Sequence, residues 1–359
     1  MVNVLTSNQK PTQKPIFKYT VVLMLCGVIS LIGVNIFLQV QPSVPQIQPA
    51  VKKESMGASE PTGVLYTSMA QKDELVHVIG YYFNNATFES VAALDGATTM
   101  QIESTKKAIS FLVFAPISGT QKENIIAIDK STRTMNFVLS SNTTLTNERS
   151  LNYSESKKLL AFQAQEQEGV EGTLASADTW GIYVVDPKTQ NVDLIGKGID
   201  PVWSPDGTSL VYLGADGIKQ YIYADQTTKD IVIPNTAKPQ VGTNMNLDIT
   251  PDGKLLALTS PNNSALYFFD VLSWDRLRLE NSKIYSSIIN TENNKAYYWP
   301  TFSFDNKFIA VQEANYDQNG IKTTATISII RLSDMNTVRK IPIDSYDFNR
   351  AFIDDWEMR

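Results

Sequence analysis

Residues of the types that nucleophilic or metal catalysis requires are scarce in this sequence. A Ser-His-Asp triad needs a histidine base, and the one histidine, His77, lies in an alternating run typical of an ordinary strand. The chain has no Gly-x-Ser-x-Gly nucleophile turn and no cluster of Cys and His that could bind a metal. We therefore predict no catalytic residue, no metal site and no cofactor.

A series of polar residues is the remaining candidate for chemistry. It occupies one position of a repeat of about 50 residues, immediately before a large side chain. The polar members are Gln101, Asn152, Asp248, Thr301 and Asp355, and Val202 takes the remaining place. If their strands line a central channel, these side chains could face a ligand, with Asp248 and Asp355 as the most plausible pair of acids for hydrolysis. The simpler interpretation is that they solvate a water-filled channel.

The elements that would position this series are β-hairpins. The stretch Pro201–Tyr212 has an apolar strand ending at Trp203, a Ser-Pro-Asp-Gly turn and a second apolar strand. Proline fixes its backbone angle, aspartate bonds to nearby backbone and glycine accepts a positive φ, so the pattern predicts a hairpin. Copies follow or precede it at Ile102, Tyr153, Ile249 and Phe302.

These copies predict an all-β fold, a closed β-propeller. Trp356 takes the next place in the series, and the chain stops before the second strand of that copy. Gly63–Ser68 resembles the missing strand, so we expect the first strand to pair with the last copy and close the ring. Five internal copies and one split copy predict six blades of four strands. If Trp356 belonged only to a frayed tail, the ring would have five or seven blades.

The second half of each copy predicts a strand, a turn and an outer strand. The strand before the turn ends at an aspartate in most copies. This residue is Asp129, Asp186, Asp225 and Asp270 in successive copies, and Arg331 takes its place in the next one.

Tyr297, Tyr298 and Trp299 are consecutive aromatic residues. Successive side chains of a strand point to opposite faces, so the three cannot share one face. At least one is expected to be exposed or packed between blades. Because aromatic side chains dominate many interfaces, we add Tyr298 and Trp299 to the candidate ligand-binding residues.

The N-terminal sequence predicts one transmembrane helix. Residues 19–40 are almost wholly apolar and uncharged, and about 20 such residues span the hydrocarbon core of a membrane. A cleaved signal has an apolar core of only about 7 to 15 residues and a small-residue cleavage site, so an uncleaved anchor is favoured over a signal peptide. Lysines without acids in residues 1–18 place this tail in the cytoplasm.

Residues 41–62 are rich in Pro and Gln and are expected to form an extended linker. The propeller domain would then occupy residues 63–359, on the periplasmic or extracellular side of the cytoplasmic membrane. The net charge of −6 argues against a nucleic-acid partner. The one cysteine, Cys26, lies in the apolar segment, so the domain has no disulfide.

The repeat Trp-Ser-Pro-Asp-Gly-x-x-Leu-Val-Tyr at 203–212, with the Ile-Tyr-Val-Val-Asp strand at 182–186, resembles the TolB-type propeller repeat. The resemblance covers about residues 63–359 and is weak before residue 160. It implies a six-bladed propeller outside the cytoplasmic membrane that binds other proteins. Unlike soluble periplasmic TolB, this chain has a predicted anchor and no recognisable α/β domain before the blades, so the specific TolB partner does not carry over.

The sequence accordingly favours an anchored propeller that binds a protein or an envelope polymer. The alternative is a hydrolase or lyase that acts on glycan or peptide in the channel. A sensor coupled to a cytoplasmic partner is a third possibility, although the short N-terminal tail has no signalling motif.

Overall fold

The fold consists of β-strands wherever the structure, a computed structural model, describes the chain. The described residues are 60–71, 76–94, 97–104, 109–116, 124–129, 135–139, 145–166, 179–231, 245–260, 263–274, 288–289, 295–317, 322–343 and 346–357. The predicted tail, membrane helix and most of the linker lie outside them. Within the described ranges, no helix has the length and apolar character needed to span a membrane.

The described strands form six four-stranded antiparallel sheets. Sheet 1 contains β1 (Val64–Gln71), β2 (Val76–Tyr82), β3 (Thr87–Leu94) and the last strand, β24 (Tyr346–Glu357). Sheet 2 contains β4 (Ala97–Ser104), β5 (Ile109–Pro116), β6 (Asn124–Asp129) and β7 (Met135–Leu139). Sheet 3 contains β8 (Leu145–Ser154), β9 (Leu159–Glu166), β10 (Gly181–Val185) and β11 (Val192–Lys197).

The other three sheets repeat this order. Sheet 4 contains β12 (Ile199–Trp203), β13 (Ser209–Gly214), β14 (Gly217–Ile222) and β15 (Thr227–Asp230). Sheet 5 contains β16 (Leu247–Ile249), β17 (Leu255–Thr259), β18 (Ala265–Asp270) and β19 (Ile288–Ile289). Sheet 6 contains β20 (Lys295–Phe302), β21 (Phe308–Tyr316), β22 (Lys322–Arg331) and β23 (Thr337–Pro342).

The first strands of the sheets form a cyclic series. Strand β4 contacts β8, β8 contacts β12, β12 contacts β16, β16 contacts β20, β20 contacts β24, and β24 contacts β4. The large residues that mark the copies lie on these strands, at Ile102, Tyr153, Trp203, Ile249, Phe302 and Trp356. The protein is therefore an all-β β-propeller, and we call these six strands the inner strands.

The hydrophobic core lies between consecutive sheets. One cluster joins Phe162 of sheet 3 to Val138 of sheet 2, and another joins Leu213 of sheet 4 to Phe269 of sheet 5. Middle strands such as β13 are buried along their whole length, whereas the outer strand β15 is exposed throughout. Sheets stacked face to face bury both faces of their middle strands and leave the outer edge in water.

The Ser-Pro-Asp-Gly hairpin forms as predicted. The Ser204 Oγ donates to Asp206 Oδ1 at 2.6 Å and accepts from the Ser209 backbone N–H at 2.9 Å. Gly207 adopts a φ of 70°, which is the conformation for which the turn selects glycine. The equivalent Ser303 makes the same contacts with Asp305 and Phe308.

Two of the predicted third strands end before their aspartate. Strand β10 ends at Val185, one residue before Asp186. Strand β14 of sheet 4 ends at Ile222, and Asp225 lies exposed in the turn that follows. The strand ends earlier because the tight turn at Gly214 and Gly217 moves its pairing with β13 forward. Asp270 and Arg331 do occupy equivalent places, opposite Leu255 and Phe308.

Sheet 1 joins the two ends of the domain. Strand β1 pairs with β2 on one side and with β24 on the other, where Leu65 lies opposite Trp356. This is the pairing that the sequence predicted between the first strand and the last copy. The indole Nε1 of Trp356 donates to the Thr62 carbonyl at 2.8 Å, and its ring stacks on Phe83 at 4.8 Å.

We predict that Gly63→Ala destabilises the propeller by about 2 kcal/mol or more, because it combines a positive φ with overpacking. Gly63 has a φ of 89°, and a Cβ there would collide with the backbone carbonyl oxygen of Glu357, which cannot rotate away. Gly217→Ala is the control, since Gly217 also has a positive φ but has open space around it. Thermal unfolding should show a larger loss for Gly63→Ala, and equal losses would contradict the role of this contact.

Candidate functional site

Most candidate site residues lie near a β-bulge in an inner strand, whereas β16, which carries Asp248, pairs with β17 without a register shift. One repeat position lies three residues before the large residue. It has a positive φ in three copies, with values of 50° at Ser150, 56° at Asp200 and 47° at Trp299. The pairing of β8, β12 and β20 with its neighbouring strand shifts at the same places. A bulge bends a strand and re-aims its side chains, so this position projects differently from the rest of the strand.

Asp200 connects three neighbouring inner strands through one of these bulges. Its Oδ2 accepts from the Leu247 N–H of β16 at 2.6 Å. The side chains of Ser150 on β8 and of Asn246, just before β16, also bond to this carboxylate. The Asp200 N–H donates to Gln163 Oε1 at 2.7 Å. The result is a polar cluster of Ser150, Asp200 and Asn246 on adjacent sheets, which we call the inner polar cluster.

The Asp200 carboxyl is poised to titrate near neutral pH. Burial raises its pKa to about 6, against the hydrogen bonds from Leu247, Ser150 and Asn246, which lower it. No cation is among the groups that act on this pKa. A carboxyl with a raised pKa can hold a proton near neutral pH, which is what a general acid requires.

Glu313 is a buried carboxylate whose pKa moves in the opposite direction to that of Asp200. Burial raises its pKa, but Lys340 at 3.2 Å, together with Lys295 and Ser328, outweighs burial and brings the pKa below its ordinary value. Glu313 is therefore an ionised partner inside sheet 6, and this contrast sets Asp200 apart.

Two members of the predicted polar series link neighbouring sheets. Asn152 Oδ1 accepts from the Trp203 backbone N–H at 2.7 Å, and Asp248 Oδ2 accepts from the Phe302 backbone N–H at 2.8 Å. In both cases the acceptor bonds to the large residue of the next copy. We call these contacts the inter-sheet ties. They give the position a structural role, and its role as a ligand-facing series stays a prediction.

The other members of the series lie on the inner strands as well. Thr301 is buried on β20. Gln101 lies on β4 opposite Val113, and Asp355 on β24 opposite Tyr66. The side chains of Gln101 and Asp355 fall outside the described part of the structure.

The predicted aromatic residues occupy the start of sheet 6. The Tyr298 hydroxyl lies 2.6 Å from the Tyr316 hydroxyl, and burial followed by this contact raises the pKa of Tyr316. Trp299 occupies a bulge position and packs against the core between sheets 6 and 1. Its backbone N–H donates to Asn246 Oδ1 at 3.3 Å, so sheet 6 is connected to the inner polar cluster.

Sequence reasoning missed Asp200, although a signal for it exists. The position three before the large residue is polar in four of the six copies, namely Thr99, Ser150, Asp200 and Asn246. The predicted series lies two residues further along the strand. In the described residues, no group of His, Cys, Asp and Glu is arranged to hold a metal ion.

Solved structures with a similar fold include TolB from Acinetobacter baumannii, with a TM-score of 0.58 and 17% sequence identity, over 83% of this chain and 67% of that chain. A putative TolB from Agrobacterium tumefaciens has a TM-score of 0.49 and 13% identity, over 79% and 91% of the two chains. An oligogalacturonate lyase from Vibrio parahaemolyticus has a TM-score of 0.49 and 10% identity, over 78% and 79%.

No protein-family profile and no curated protein sequence matches the chain. Together the topology and the first of these structures define the class, a β-propeller. Within that class, the fold is TolB-like.

We predict that Asp200→Asn changes how stability depends on pH. Because the folded pKa is about 6 and the ordinary value is 3.8, the folded protein binds this proton more tightly, so wild-type stability falls as pH rises through that window. Asparagine keeps an acceptor and tolerates positive φ, so Asp200→Asn should gain stability relative to wild type by on the order of 2 kcal/mol between pH 4 and pH 8.

Thermal unfolding at several pH values measures this difference. Glu313→Gln is the matched control, because its lowered pKa places its titration below pH 5, and its difference from wild type should stay constant from pH 5 to pH 8. A pH-independent difference for Asp200→Asn would show that the carboxyl does not titrate in this window.

Proposed function

We propose that this protein is a membrane-anchored six-bladed propeller that acts outside the cytoplasmic membrane as a binding platform for a protein or an envelope polymer. The six four-stranded sheets and the cyclic contacts of their inner strands support the blade number. The TolB-like fold is compatible with a role in binding proteins. No nucleic acid is proposed as partner, in keeping with the net charge of −6.

The observation that carries the proposal is a pair of exposed large apolar side chains on neighbouring sheets. Phe137 on β7 and Leu194 on β11 are each 54% exposed, and both lie on outer strands. Gln190 Nε2 donates to the Phe137 carbonyl at 2.6 Å, which places the turn before β11 beside β7. Large apolar side chains exposed on the outer strands are candidates for contact with a protein partner. We call Phe137 and Leu194 the rim patch.

The proposed location rests on the sequence. The apolar residues 19–40, preceded by lysines without acids, favour an anchor with its N-terminus in the cytoplasm. The linker at 41–62 would hold the propeller away from the membrane surface.

A hydrolase or lyase that acts on glycan or peptide in the channel is the second candidate. The raised pKa of Asp200, at the centre of the inner polar cluster, favours it. Asp248 and Asp355 are the further acids that this candidate would use, although Asp248 already bonds to the Phe302 backbone. Asp248→Asn with Asp355→Asn, or Asp200→Asn alone, should abolish turnover under the enzyme hypothesis and leave partner capture intact under the platform hypothesis.

We predict that crosslinking and affinity capture of the full chain from its native membrane recovers the same few envelope proteins in repeated experiments. Phe137→Ser with Leu194→Ser should reduce this recovery severalfold, because central apolar contacts contribute most of the binding energy of an interface. Quantitative mass spectrometry of the captured proteins provides the measurement.

Leu272→Ser is the matched control for that experiment. Leu272 is 59% exposed, but it follows the third strand of sheet 5, away from the rim patch. Recovery of no reproducible partner, or an equal loss with Leu272→Ser, would count against the rim patch as the interface.

A further inference from the structure

A pocket of about 480 Å³ lies between sheets 5 and 6, on the side of the hairpin turns. Its apolar surface is provided by the partly buried Leu255, Leu332 and Met335. Its charged lining residues are Asp252, Lys254, Asp270, Lys307 and Arg331. The volume falls within the range of small-molecule sites and exceeds that of one long side chain.

Each cation of the pocket is paired with a carboxylate, although the Nε of Arg331 is buried without a hydrogen-bond partner. Lys254 pairs with Asp252 at 3.1 Å, Lys307 with Asp305 at 3.4 Å, and Arg331 with Asp334 at 2.7 Å. The remaining charge is the carboxylate of Asp270, for which the described residues provide no hydrogen bond and no ion pair. The pocket therefore combines an apolar wall with one uncompensated negative charge.

Comparison with the same position in sheet 3 shows why Asp270 is uncompensated. Asp186 follows β10 as a turn residue, and its Oδ1 accepts from the backbone N–H groups of Lys188 and Thr189. These bonds, the one from Lys188 first, lower the pKa of Asp186. After Asp270, residues 271–273 form no turn, and the described residues give the Asp270 carboxylate no backbone N–H to accept from. Unlike Asp186, Asp270 therefore does not cap a turn, and its carboxylate lines the pocket.

The repeat position of Asp186 and Asp270 also differs in sheet 6, which forms the opposite wall of the pocket. Arg331 of sheet 6 replaces the aspartate, and Asp334 caps the turn there, accepting from the Asn336 N–H at 3.1 Å. Asp270 and Arg331 occupy the repeat position of Asp186 on the two walls of the pocket. Neither residue caps a turn as Asp186 does.

We propose that this pocket binds a lysine or arginine side chain of a partner protein, with the charged group against Asp270 and the aliphatic part against Leu255, Leu332 and Met335. Both parts of such a side chain match what the pocket offers, since long basic residues bury their methylene groups while keeping the cation paired. The inference rests on the proposed role in binding proteins and identifies a feature of the partner, at a site separate from the rim patch.

The test uses the full-length protein and two small probes, N-acetyl-lysine methylamide and N-acetyl-norleucine methylamide, which differ mainly in the charge. Titration followed by NMR of methyl-labelled methionine should move the Met335 signal, assigned with Met335→Leu. The lysine probe should bind about two- to fivefold more tightly than the norleucine probe, as expected for a partly exposed ion pair. Asp270→Asn should remove this preference without removing norleucine binding.

Asp186→Asn is the matched control, because Asp186 holds the same repeat position in sheet 3, away from the pocket, and asparagine can still cap the turn. It should keep the preference for the lysine probe. Equal binding of the two probes to wild type, an unmoved Met335 signal, or a loss with Asp186→Asn equal to that with Asp270→Asn would overturn the proposal. None of these results depends on capturing an envelope partner, so the two proposals can fail separately.

Discussion

The pairing of β1 with β24 is the constraint on which the propeller depends. It joins residues from opposite ends of the domain, such as Tyr66, whose hydroxyl donates to Glu357 Oε2 at 2.7 Å. Without it, sheet 1 would lose its inner strand and sheet 6 would lose the Trp356 ring that packs against Phe308. The core between sheets 6 and 1 contains residues from both ends of the chain. Closure is thus both a backbone pairing and a packing event, and its entropic cost is that of one very long loop.

The bulges and the inter-sheet ties turn six similar sheets into a ring. A bulge frees a backbone N–H and turns a side chain toward the next sheet. The protein uses both effects, since the freed Asp200 N–H bonds to Gln163 and the Asp200 carboxylate reaches Leu247 of the next inner strand. The side chains of Asn152 and Asp248, two residues later in the repeat, also accept a backbone N–H of the next sheet. A polar side chain near the axis therefore need not face a ligand, because the backbone of the neighbouring sheet competes for it.

The sequence predicted the architecture well and the site poorly, for a physical reason. Hairpins such as Pro201–Tyr212 are specified locally by turn chemistry, and their spacing specifies the repeat, so strands and closure could be inferred without coordinates. The direction of a side chain near a bulge depends on a local register shift, which no alternation rule anticipates. Asp200 was missed for this reason, and Asp225 was placed at the end of a strand because the tight turn at Gly214 and Gly217 was not recognised. The pocket beside Asp270 required both neighbouring sheets to be in place.

Four carboxylates show how a repeat fold can acquire function without changing its framework. Asp186 is used by its own turn, Glu313 is used by lysines of its own sheet, and both have lowered pKa values because each charge is compensated where it arises. Asp200 lies in a half-buried cluster, and no cation is among the groups that act on its pKa. Asp270 lines a pocket without a partner among the described residues. An uncompensated carboxylate costs stability, and the fold can tolerate it because closure and the inter-sheet cores stabilise every sheet independently of these residues. Asp200 and Asp270 are carboxylates whose charge the repeat does not compensate. Binding or chemistry should therefore be sought at these two residues.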